Sequence, residues 1–142
     1  MLHYPKTRKK YVSHNKSDKV KNLCAFCGDE KLESRLVEKT NTMLVIPNRV
    51  SYDIFEGRRV EDHLMVLPIR HAENIADFTD QEKLDMIELL AKYELLGYSI
   101  YARGLGSISR SVNHQHTHLI KLENRLPRFS LYMKKPYILI HK

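Results

Sequence analysis

The chain is poor in the residues that staple or anchor a protein. It has two cysteines in 142 residues and no tryptophan, too few cysteines for the disulfide framework of a small secreted domain. No apolar run approaches the roughly 18 residues of a membrane span, and the N-terminus lacks the apolar stretch of a secretory signal. These absences predict a soluble cytoplasmic protein without a membrane partner. Neither an internal repeat nor a low-complexity tract interrupts the sequence. At roughly 100 to 200 residues per domain, the length predicts one compact domain plus a tail and excludes a multidomain enzyme.

Hydrophobic residues make up 42% and charged residues 29%, ordinary globular usage that can bury a core without metal or disulfide help. The net charge of +7 is unevenly spread. Residues 1–22 carry Lys6, Arg8, Lys9, Lys10, Lys16, Lys19 and Lys21 against Asp18 alone, which leaves the body from 23 to 142 nearly neutral. A flexible basic arm on a neutral domain is predicted, able to contact nucleic acid through phosphate attraction.

Arg35–Glu38 and Thr42–Ile46 read as strands joined through Lys39-Thr40-Asn41, the second stopped by Pro47-Asn48. Ser51 to Asp62 shows no clear period and reads as a connecting loop, followed by a buried strand from His63 to Leu67. Thr79-Asp80-Gln81-Glu82 has the capping-box form and predicts a helix to about Tyr93 or beyond, with Gly97 near its end. On that helix Leu84, Ile87, Ala91 and Leu95 share one face and Met86, Leu89, Leu90 and Tyr93 most of the opposite one, leaving Asp85, Glu88 and Lys92 wet. A helix apolar on two sides fits packing on a sheet and on a second copy of the chain. Further strands are predicted from Val112 to Leu122 and from Pro136 to Ile140.

The chemistry concentrates in Ser111-Val112-Asn113-His114-Gln115-His116-Thr117-His118. In a strand, His114, His116 and His118 would line one face about 6 to 7 Å apart. Three aligned imidazoles present six ring nitrogens that are costly to bury unsatisfied. They fit either a metal-binding row or a site in which one imidazole reacts while its neighbours hold it. Cys24-Ala25-Phe26-Cys27 fits a metal or a redox pair.

Taken together these residues resemble the histidine triad (HIT) family of nucleotide hydrolases and transferases. The family signature is His-x-His-x-His followed by two apolar residues, here Leu119 and Ile120. Cys24-Ala25-Phe26-Cys27, Val45-Ile46-Pro47-Asn48 and the run His63 to His71, which ends Pro-x-x-His, agree with the family in order and spacing. The likeness spans about residues 23 to 122. It implies an α+β fold with an antiparallel sheet of about five strands and one main helix; the two apolar sides of that helix predict a homodimer through it, a single longer core face being the alternative.

The resemblance also implies a covalent reaction at the α-phosphate of a purine nucleotide conjugate or dinucleoside polyphosphate. His116 is then the nucleophile, with His118 and His114 as the other catalytic residues. Ser111 and Arg110 would contact phosphate and Asn48 the ribose. Related members carry a structural zinc, which maps to Cys24, Cys27, His63 and His114, with His71 as the substitute for His63; no organic cofactor is implied. Ser109-Arg110-Ser111, the polar Gln115 and Thr117 between the histidines, Arg103 and the long Ser51–Asp62 link depart from the pattern. Gln115 and Thr117 predict a wetter face than usual. Two other readings remain: a nucleotidyltransferase or phosphorylase on the same fold, and a zinc-stabilised nucleic-acid-binding module without catalysis.

Overall fold

The computed structural model describes residues 3–4, 6–10, 12–13, 24–27, 32–125, 130–134 and 137–141. Lys16, Asp18, Lys19 and Lys21 of the basic arm lie outside these residues, as does Pro136. The main sheet is antiparallel throughout, with strands β1 (Glu38–Lys39), β2 (Met43–Pro47), β3 (Ile54–Phe55), β4 (Arg58–Pro68), β5 (Tyr98–Ala102) and β6 (Thr117–Leu122). Its order is β1-β2-β4-β6-β5, with β3 folded back on the start of β4. Helix α1 (Asp80–Leu95) connects β4 to β5, and β7 (Ser130–Lys134) and β8 (Tyr137–His141) form a separate hairpin. The α+β reading of the sequence therefore holds, as does its single main helix.

The helix starts where the capping box places it. The Thr79 hydroxyl accepts from the Glu82 amide at 3.2 Å and Glu82 accepts from the Thr79 amide at 2.7 Å, and Arg70 clamps the same carboxylate at 2.8 Å. Its buried side, Met86, Leu89, Leu90 and Tyr93, packs on Met43, Val45, Leu64, Val66 and Leu119 of one sheet face. Leu84, Ile87 and Leu95 stay 52%, 62% and 89% exposed, so one apolar side is unpartnered within the described residues.

Asp85 departs from the predicted wet stripe. It is buried, and accepts from Thr40 Oγ1 at 2.6 Å, Thr42 Oγ1 at 2.7 Å and Gln81 Nε2 at 2.6 Å. These bonds tie the β1–β2 turn to the helix and hold the carboxyl down at about 2.

The strand expected at Arg35–Glu38 begins only at Glu38, after a 3-10 turn over Glu33–Arg35, and two further stretches also differ from the sequence reading. The Ser51–Asp62 link contains a two-residue hairpin turn, Glu56-Gly57, with φ of 50° and 72°, the positive angles such turns require and which Gly57 supplies without strain. β4 consequently begins at Arg58 and not at His63. β5 was hidden behind the helix stop: Gly97 turns the chain at φ 85°, and Tyr98-Ser-Ile-Tyr-Ala then pairs with β6.

Candidate active site and metal-binding cluster

The sheet face away from α1 carries the site. Strand register sets Met65 opposite His118 and His63 opposite Ile120, which brings His63 and His118 together as diagonal neighbours on that face. Their rings lie 5.1 Å apart, with His63 Nε2 2.9 Å from His118 Nδ1. Tyr52 covers both, at ring distances of 4.5 and 5.5 Å, and its main-chain amide donates to His63 Nδ1 at 3.2 Å. Arg103 donates to the Tyr52 hydroxyl at 2.9 Å. Burial pushes His63 down to about 4 and His118 to about 2, so both are neutral at pH 7.

The predicted strand from Val112 starts only at Thr117. Residues 110–115 are drawn out of the ladder by other partners. Arg110 donates to the carbonyls of Val112, Asn113 and Glu73 and to Gln115 Oε1, while the Gln115 amide donates to the Ala72 carbonyl at 2.7 Å. Arg110, expected on a phosphate, thus braces the loop carrying the histidines. Gln115 and Thr117 are both buried, against the expected wet face. Ser111 is exposed beside them.

Because the chain bends here, the three histidines do not form one row. His116 stays with His118, rings 5.1 Å apart and edge to face, and is itself buried. Its Nδ1 lies 2.8 Å from the His114 carbonyl. A carbonyl only accepts, so Nδ1 carries the proton and Nε2 keeps its lone pair. Burial lowers the His116 pKa, which keeps that lone pair available near neutrality.

His114 turns its ring the other way. Its Nε2–H donates to the Pro68 carbonyl at 2.9 Å, leaving the Nδ1 lone pair 3.5 Å from Cys24 Sγ and 3.4 Å from Cys27 Sγ. His71 Nδ1 is 3.4 Å from Cys27 Sγ, and all four ligand atoms lie within 4.8 Å of one another. Tetrahedral ligands at about 2.0 to 2.3 Å from zinc sit about 3.3 to 3.8 Å apart, a range that holds the three sulfur–nitrogen distances of 3.4 to 3.5 Å, so the four groups lie close enough to bind a metal. His63 is corrected here. The alternation of β4 turns it to the His118 side, whereas His71 follows the bend after Pro68 and is set beside His114 by the bonds from Gln115 and Arg110 to residues 72 and 73.

The Cys24–Cys27 turn is fastened to the sheet by Phe26. That ring packs on Leu44, Ile46, Met65 and Leu67 and meets the His114 and His116 rings edge-on at 5.6 and 5.5 Å. Asn48, expected on a ribose, holds its Oδ1 on the Val50 amide at 3.2 Å and its Nδ2 3.1 Å from His63 Nε2. The start of the basic arm also reaches this region. Tyr4 donates its amide to Asp53 at 2.8 Å, Thr7 its hydroxyl at 3.2 Å, and the His3 ring lies 5.5 Å from Tyr52. Sequence reasoning missed Tyr52 altogether; its one signal was an aromatic residue inside the unusually long link.

No family model and no curated protein matches the sequence. Solved structures do match the fold. A HIT family hydrolase from Clostridium thermocellum is 16% identical over 75% of this chain and 96% of its own, with a TM-score of 0.53. A diadenosine triphosphate hydrolase from Plasmodium falciparum is 16% identical over 70% and 67%, at 0.53. A histidine triad nucleotide-binding protein from Candida albicans is 18% identical over 71% and 76%, at 0.50. The chain has the fold of the histidine triad proteins.

Proposed function

We propose that the chain is a histidine triad enzyme that hydrolyses a purine nucleotide conjugate or dinucleoside polyphosphate at the α-phosphate, through a nucleotidyl group carried on His116. The observation that supports this most is the His116 imidazole: buried, neutral, with Nδ1–H committed to the His114 carbonyl and the Nε2 lone pair left over. In the first step Nε2 forms a bond to the α-phosphorus as the bond to the leaving-group oxygen breaks. In the second, water attacks the phosphorus, its proton is lost, and the N–P bond returns its electron pair to Nε2. The exposed Ser111 is offered as a donor to a nonbridging phosphate oxygen, and His118 as the group that supports His116 from its edge.

Cys24, Cys27, His71 and His114 are proposed as the ligands of a structural zinc. With four protein ligands such an ion fixes structure, holding the Cys24–Cys27 turn against the loop that carries His116. The unpartnered Leu84, Ile87 and Leu95 support a homodimer built on α1.

The test is turnover of an adenosine phosphoramidate, diadenosine polyphosphates and an adenylylated nucleic-acid end, with and without inorganic phosphate, by wild type and H116A. Turnover of one substrate that H116A loses while remaining folded supports the covalent reading, and dependence on added phosphate converts it to a phosphorylase. The exposed Lys6, Arg8, Lys9 and Lys10, on a segment hydrogen-bonded to Asp53, favour one second reading, a nucleic-acid-binding module. That reading gains if nothing turns over and binding to DNA or RNA weakens steeply with salt.

A further inference from the structure

The hydrogen bonds around Tyr52 run in a ring. Its main-chain amide can only donate, so His63 Nδ1, 3.2 Å away, must accept. A neutral His63 then carries its proton on Nε2 and donates it to His118 Nδ1 at 2.9 Å. A neutral His118 accordingly carries its own proton on Nε2, which faces the Tyr52 hydroxyl at 3.5 Å. The path that leaves Tyr52 by its backbone returns to it by its side chain. Asn48 Nδ2, a donor like the Tyr52 amide, sits 3.3 and 3.1 Å from the two His63 nitrogens, and with Nε2 protonated it shares the Nδ1 lone pair with that amide.

The hydroxyl is held from outside as well. Arg103 donates to it at 2.9 Å, and the guanidinium carbon lies 5.9 Å from the Tyr52 and Tyr101 ring centres. Tyr101 in turn stacks on His118 at 5.9 Å. The Tyr52 ring, 5% exposed, is fixed further by Phe55 at 6.3 Å and His3 at 5.5 Å. We propose that Tyr52, braced by Arg103, is a positioning residue that locks His118 in its Nε2–H tautomer and so sets the ring edge that lies against His116. Tyr52 touches no reacting atom. It acts through His118, and the assignment rests on the reading of His116 as the reacting group only for its catalytic consequence.

The experiment is the two-bond proton–nitrogen correlation pattern of 15N-labelled imidazoles in wild type, Y52F and R103Q, read beside kcat and KM. Wild type should show His63 and His118 both protonated on Nε2. Y52F keeps the ring and the main-chain amide but removes the acceptor of the His118 Nε2 proton, so His118 should shift to a mixture of tautomers, and His63, whose Nε2 proton needs the His118 Nδ1 lone pair, should shift with it. With an active substrate, kcat should fall roughly tenfold and KM change less than twofold, the mark of misplacement as opposed to lost binding. R103Q should move the same His118 signals in the same direction, and serves if Y52F does not fold. A wild-type His118 protonated on Nδ1, or a His118 pattern untouched by both variants, overturns the proposal. The tautomer pattern needs no substrate, so failure of the nucleotidyl-transfer reading leaves this result separately readable.

Discussion

His114 and His118 stand four residues apart in one segment and do opposite work. His114 turns its ring to sulfur, beside the partly exposed Cys24 and the exposed Cys27 and His71. His118 turns its ring to other imidazoles and to phenols, with His63, Tyr52, Tyr101 and His116 around it. His116, between them, shows what decides such a difference, which is the backbone acceptor that takes the proton. The Pro68 carbonyl takes the Nε2 proton of His114 and exposes Nδ1 to the cysteines, while the His114 carbonyl takes the Nδ1 proton of His116 and exposes Nε2. Two backbone oxygens thus leave the Nδ1 lone pair of one imidazole facing the cysteines and the Nε2 lone pair of the other free, which are the roles the proposed function gives them.

The largest expected effect comes from loss of the His116 nitrogen proposed to attack the phosphorus. H116A should lower kcat by at least about a thousandfold while leaving zinc content and melting temperature close to wild type, as measured by single-turnover kinetics and elemental analysis on the same preparation. Removing the other half should do the reverse in kind. C24S and H71A should lose zinc and melt on the order of 10 °C lower, whereas H63A should keep its zinc; a zinc-free H63A would restore the ligand set inferred from the resemblance.

A smaller effect follows from pH. His63 and His118 are held well below the roughly 6.5 of an unfolded histidine, so between about 6.5 and about 4 the unfolded chain binds more protons than the folded one. Stability should therefore be full above about pH 6.5 and decline as the pH drops below it. Melting temperatures from pH 7.5 to 4.5 should show this slope, and H63Q should flatten it. The least effect belongs to Asp85, whose depressed carboxyl contributes above about pH 4 and loses that contribution as the pH falls toward about 2. D85N should melt lower than wild type at pH 7, with the gap closing in strong acid.

Much of the fold was legible because it is local. The capping box at Thr79, the stop at Gly97 and the apolar runs of β2 and of β4 from His63 on are written within a few residues each. The predicted row of three histidines failed for a nonlocal reason: the bend at 110–115 is imposed by Arg110 and Gln115 reaching residues 72 and 73, contacts that no window of sequence contains. The choice between His63 and His71 turned on the same contacts together with strand parity. Parity alone would have paired His63 with His118 once β4 and β6 were set side by side. Tyr52 was unreadable because its place depends on a hairpin whose turn, Glu56-Gly57, is a weak signal next to Asn-Gly or Asp-Gly.

Residue 114 is used twice, by its ring among the cysteines and by its carbonyl under His116. The two uses belong to one residue, so His116 inherits whatever slack the cysteine turn allows. Under the proposed function, displacement of the His114 ring by about an ångström would tilt the carbonyl and swing His116 Nε2 off an in-line approach, a tolerance on which rates depend steeply. The metal-type cluster therefore works as a machinist's datum, the fixed surface from which the aim of a different side chain is measured.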